Sequence, residues 1–149
     1  MAYEARIIAA PEYLRALGQA LYNFTYLEWV VIWTIAKLGA DGFRSVPRGK
    51  TARDIAGALD RAIANTSPPL ESELRWRLVK FAESYRAAIP TRNKLLHAHP
   101  FTAEDGQPQL AGGGVEWPLE NVHAAAKQFE DAAIVGNNIF HGELAKARP

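Results

Sequence analysis

The chain has 149 residues, 48 % of them hydrophobic, and a formal net charge of +1, which gives one domain, 1–149, a real core and leaves too little for two. It contains no cysteine, so disulfides, thiolate nucleophiles and thiolate metal sites are excluded, and a reducing cytoplasm suits it. The stretch "MAYEARIIAAPEY" carries Glu4 and Arg6 where a secretory leader needs a basic start and a long apolar run, so export is not expected.

From Pro11 to Leu38 the apolar residues Leu14, Leu17, Leu21, Phe24, Leu27, Val31 and Ile35 recur every three or four positions, the period of one helix face. Pro11 suits the first turn, and Gly39 with "GADGF" ends the helix. Its second half, "YLEWVVIWTIAKL" (26–38), is apolar nearly all round. It falls short of the ~20 residues that span a bilayer and is flanked by Glu28 and Lys37, so no membrane partner is expected. Such a segment predicts a central position, with part of its surface covered by another subunit.

A second helix is expected at about 51–66, with Thr51 as N-cap and Asp54 at the capping-box position. After "SPP" (67–69) the period resumes through Leu70, Leu74, Leu78, Phe81, Tyr85 and Ile89. Pro90 then predicts a kink or a restart, and Pro100 biases His99 out of helix, placing the end near Ala98. The segment 104–118 reads as a loop or small hairpin around Gly112–Gly114. A last helix follows from about Leu119 to Ala147, with irregularity at "VGNN" (135–138). The expected fold is all-α, a four-helix bundle with that insertion and with the first and third helices antiparallel neighbours.

Charge is unevenly distributed. Residues 45–100 hold ten Lys or Arg against five acids, whereas 101–149 hold three against seven. The basic surplus suits a polyanionic ligand or, equally, an ordinary solvated helix face.

Three constellations carry little chemistry. "ENVH" places Glu120 and His123 at the Glu-x-x-His spacing of di-iron bundles, but those sites need two copies, so no metal is expected. "AGGGVEW" lacks the Lys-Ser/Thr ending of a phosphate loop. Trp29 and Trp33, at helical spacing, read as core or interface residues.

"RNKLLH", Arg92 to His97, is the remaining candidate. Arg followed by Asn and then, after a gap, His resembles the R-x4-6-H signature of the HEPN superfamily of small helical bundles found in prokaryotic toxins, abortive-infection systems and RNA-processing proteins. The resemblance implies a homodimeric, metal-independent endoribonuclease with no cofactor, in which Arg92, Asn93 and His97 are catalytic and the motifs of two protomers face one another. It also implies RNA as partner and an antitoxin-like protein as silencer. Pro90, just before the motif, departs from the pattern.

The residues support that chemistry independently. Cleaving RNA without metal needs a base for the 2'-hydroxyl, an acid for the leaving oxygen and positive charge on the phosphate. His97 can serve as base or acid, because histidine as a residue type titrates near neutral pH, and Arg92 can grip phosphate oxygens with a permanent charge. Lys94 and His99 are auxiliary RNA-binding candidates. Five helical residues advance about 500°, so Arg92 and His97 project roughly 140° apart while Asn93 and His97 share a face. One chain's helix therefore does not converge all three. The competing reading is structural: Arg92 pairs with Glu71, Glu83 or an acid of the last helix, and the bundle is a non-catalytic dimerisation or interaction module.

Overall fold

The computed structural model describes residues 7–149; the first six residues of the segment read for a leader, including Glu4 and Arg6, lie outside the described residues. Four long helices, α1 (Pro11–Leu38), α2 (Ala52–Asn65), α3 (Ser72–Leu96) and α4 (Leu119–Ile139), carry the core. Three strands, β1 (His99–Thr102), β2 (Pro108–Gly112) and β3 (Val115–Trp117), separate α3 from α4, and a π-helical turn (Phe140–Leu144) leads to the short α5 (Ala145–Ala147). The bundle with its small insertion is the architecture that the apolar periods require.

Local chemistry sets the boundaries. Pro11 opens α1, where its missing N–H costs nothing, and the Gly39 N–H closes it on the Ile35 carbonyl at 2.8 Å. The capping box of α2 is complete: the Asp54 N–H donates to Thr51 Oγ1 (3.3 Å), and the Thr51 N–H donates to the Asp54 carboxylate (3.0 Å). α3 runs unbroken through Pro90 instead of restarting. Pro90 is solvent-exposed, where losing one helical hydrogen bond costs least because water replaces it.

α1 and α3 are antiparallel, since Phe24 meets Arg92 while Glu28, one turn on, meets Tyr85. α4 runs parallel to α1: the Tyr13 hydroxyl donates to the Trp117 carbonyl, the Asn23 amide to the Ala126 carbonyl, and Trp33 packs against Phe140. α2 and α4 flank the α1–α3 pair. Leu27, Val31, Ile35, Leu59, Leu78, Phe81, Tyr85 and Phe129 are fully buried at the centre. Gly136 of α4 lies against the Phe81 ring; a Cβ there would stand 2.3 Å from two ring carbons.

The first half of α1 is rotated from the expected leucine face. Tyr13, Ala16 and Ala20 point inward, whereas Leu14 and Leu21 are half exposed. Two alanines let α4 come close, and Tyr13 is held by the sheet, so the larger leucines turn outward. The expected irregularity of the last helix comes later than 135–138, at the π turn beginning with Phe140.

The insertion is larger than a hairpin. Its strands form an antiparallel sheet in the order β1-β2-β3, with His99 opposite Ala111 and Leu110 opposite Trp117. It starts at His99, before the expected 104–118. Gly113 and Gly114, both at positive φ (61° and 75°), make the two-residue turn from β2 to β3 that suits the right-handed strand twist. Tyr13 fastens the sheet to α1: its hydroxyl donates to the Trp117 carbonyl (2.6 Å) and accepts the Leu110 N–H (3.0 Å). Burial raises the pKa of that phenol above its ordinary value, against a smaller opposite pull from the Leu110 N–H. No helix among the described residues is long and apolar enough to cross a membrane.

Candidate functional site

The last two turns of α3 face the N-terminal half of α1 across an apolar groove of about 280 Å³, bordered by Leu17, Leu21, Phe24, Leu95 and Leu96, with Arg92 in its wall. Leu21, one of the two outward leucines of α1, thus lines the groove beside the motif. Leu21 and Leu96 are each about half exposed (51 % and 48 %), so the rim around Arg92 is apolar and open.

Arg92 is held without a carboxylate. Its guanidinium lies over the Phe24 ring, 5.3 Å from the centroid, and Nη1 donates to the Asn93 Oδ1 at 2.8 Å. Nε is buried with no partner, and no hydrogen bond engages Nη2. Among the described residues Arg92 forms no ion pair; Glu83, one of its expected structural partners, pairs instead with Lys80. A half-buried cation is ordinarily paired. This one is held in place by Phe24 and Asn93 alone among the described residues.

Behind Arg92 lies a second polar pair that the sequence reading missed. The Tyr85 hydroxyl, fully buried, donates to a Glu28 carboxylate oxygen at 2.8 Å and lies 3.4 Å from the Ala52 carbonyl. Burial first, and then the Glu28 charge beside it, push the Tyr85 phenol far above its usual range, with Arg92 pulling weakly the other way. Tyr85 therefore stays neutral and serves as a donor. The available signal was Glu28 itself, the only acid in the apolar 26–38 stretch and one turn after Phe24.

The other motif residues stand apart from Arg92. Asn93 is half-buried and turned to Arg92, whereas Lys94 is exposed. His97 is the C-cap of α3; its N–H donates to the Asn93 carbonyl at 3.0 Å, and its imidazole is exposed and makes no hydrogen bond among the described residues. α3 thus ends two residues before the expected Ala98. His99 does not sit in a loop: it begins β1 and is exposed there. The structure keeps Arg92 and His97 apart, as their helical spacing requires, but the Asn93 side chain turns to its neighbour Arg92 and not to His97, with which it was expected to share a face.

No family model, curated protein or solved structure matches the chain. Function must therefore be argued from the groove. Among the described residues no three metal-ligating side chains converge, and both Glu120 and His123 lie exposed on α4. The site's chemical equipment is a guanidinium outside any ion pair among the described residues, an amide that accepts a hydrogen bond from it, and an exposed imidazole nearby in the chain.

Proposed function

We propose that the protein is a HEPN-like RNA-binding dimer that cleaves RNA without metal, with Arg92, Asn93 and His97 as its catalytic residues. The observation that carries this reading is the unpaired Arg92 guanidinium, oriented by Asn93 and set in an open groove beside His97. Arg92 binds the scissile phosphate and stabilises its added charge in the transition state. His97 takes the 2'-hydroxyl proton or returns one to the leaving 5'-oxygen.

One chain supplies these groups on diverging faces, so the complete site takes His97 from a second copy. The half-exposed Leu21 and Leu96 at the groove give that copy an apolar surface beside the motif. A two-fold contact there places each protomer's Arg92 and Asn93 opposite the other's His97, generating two equivalent sites. Lys94 and His99, exposed at the same end, steer the phosphate backbone.

The test is cleavage of labelled RNAs in EDTA. Wild-type protein is expected to cut, leaving 2',3'-cyclic phosphate ends, and a folded His97→Ala variant is expected to leave the RNA intact. Intact RNA with the wild-type protein, with and without EDTA, favours the other reading, a non-catalytic interaction module assembled through α1. Any silencing protein partner would be sought only once cleavage is established.

A further inference from the structure

The C-terminal half of α1 carries a second open surface at Trp29 and Trp33, which follow Phe24 of the leucine-lined groove by five and nine residues, about 8 and 14 Å along the helix. Trp29 and Trp33 stand one turn apart on it with their rings edge to face at 5.9 Å, and they are 52 % and 40 % exposed. Trp33 also meets Phe43 edge-on at 4.8 Å and Phe140 at 6.2 Å. Tyr26, Asn137 and His141 close the side of a cleft of about 310 Å³ against Trp29, Trp33 and Phe140. Large aromatic side chains this exposed have faces left to cover.

The chain segment that follows the two tryptophans is basic. Residues 37–50 hold Lys37, Arg44, Arg48 and Lys50 against one acid, Asp41. Lys37 follows Trp33 by one turn, and Arg44 adjoins Phe43 in the 3-10 turn Gly42–Ser45. Among the described residues none of the four cations is in an ion pair. A second copy fits poorly here, because a two-fold contact centred on Trp33 brings the Lys37 and Arg44 of both copies together, and interface cores are depleted of charge. A chain with aromatic bases and a phosphate at every step matches both features, stacking on the rings and neutralising the cations.

We propose that Trp29, Trp33 and Phe140 form a base-stacking platform for single-stranded RNA, with Lys37 and Arg44 on its phosphates. The proposal rests on the reading of RNA as substrate and adds how that RNA is selected: unpaired bases are required, because a duplex hides the faces that the tryptophans cover. Asn137 and His141, at the cleft wall, meet the edge of the stacked base.

The experiment uses the cleavage-dead His97→Ala full chain and a fluorescein-labelled single-stranded oligoadenylate of about ten nucleotides, read by anisotropy at several salt concentrations. Adding Trp33→Ala is expected to weaken binding roughly 10- to 100-fold, the loss of one or more stacked bases. Trp76→Ala, removing an exposed tryptophan of α3 away from the cleft, should leave affinity unchanged. Lys37→Gln with Arg44→Gln, both surface changes, should lower the salt slope by about one to two. An unchanged affinity in both Trp33→Ala and the double Gln variant overturns the platform. So does a change in dimer mass with Trp33→Ala while the affinity holds, which gives the surface to a second copy. If wild-type protein binds RNA in a Trp33-dependent way yet never cuts it, the nuclease reading falls and the platform stands. Cutting that is indifferent to Trp33 has the opposite meaning.

Discussion

Replacing Arg92 by Met separates a functional arginine from a structural one. The methionine chain fills the volume of the arginine stem beside Phe24 and Leu95. The substitution loses the charged hydrogen bond to Asn93 Oδ1, worth about 1.5–3 kcal/mol, and the contact over the Phe24 ring, worth about 0.5–1 kcal/mol. It also removes the buried, unpartnered Nε, whose desolvation costs about 1–3 kcal/mol. These terms nearly cancel, so Arg92→Met should shift stability by only about 1 kcal/mol, read as the urea midpoint with an unchanged m-value. RNA cleavage by the same variant should fall by a factor of about 100 or more, the usual effect of removing one preorganised charge from a transition state. A stability loss of about 3–5 kcal/mol, the cost of breaking a buried ion pair, would show that Arg92 holds the fold together and refute the reasoning.

Gly136→Ala should destabilise the protein by about 1–3 kcal/mol despite the better helix propensity of alanine, because its Cβ meets the Phe81 ring at 2.3 Å; adding Phe81→Leu should recover part of the loss in thermal melts. Tyr85 also predicts an alkaline limit. Its folded-state pKa is raised above the ordinary value, so its contribution is intact below about pH 10 and is lost as pH rises further, since the unfolded chain then releases a phenolic proton that the fold retains. Tyr13 acts in the same direction. Urea midpoints should therefore drop from about pH 10 upward, and the drop should be shallower in Tyr85→Phe.

The helices were legible because their apolar periods and punctuation agree. Thr51 and Asp54 make the expected box, Pro11 and Gly39 bound α1, and Gly113–Gly114 form the expected turn. The rotation of α1 was hidden because leucine reads as more buried than alanine. Only the close approach of α4 and the Tyr13 anchor to the sheet turn Leu14 and Leu21 outward. Strand β1 was missed because Pro100 and the exposed His99 do not alternate in the way a half-buried strand does. At the site, the helical angle between Arg92 and His97 could be worked out from spacing alone. The Glu28–Tyr85 pair could not, since it joins residues 57 positions apart, and a tyrosine at core spacing looks like any other core residue.

Mixing two inactive variants tests the central claim most directly. A dimer pairing an Arg92→Ala chain with a His97→Ala chain keeps one intact site if Arg92 and His97 come from different copies, and none if they act within one chain. Equal amounts of the two variants, unfolded and refolded together and assayed on RNA in EDTA, are expected to recover roughly a quarter of wild-type cleavage, since half the dimers are mixed and each has one of two sites. A mixture that forms mixed dimers yet stays as inactive as either variant alone would contradict the account.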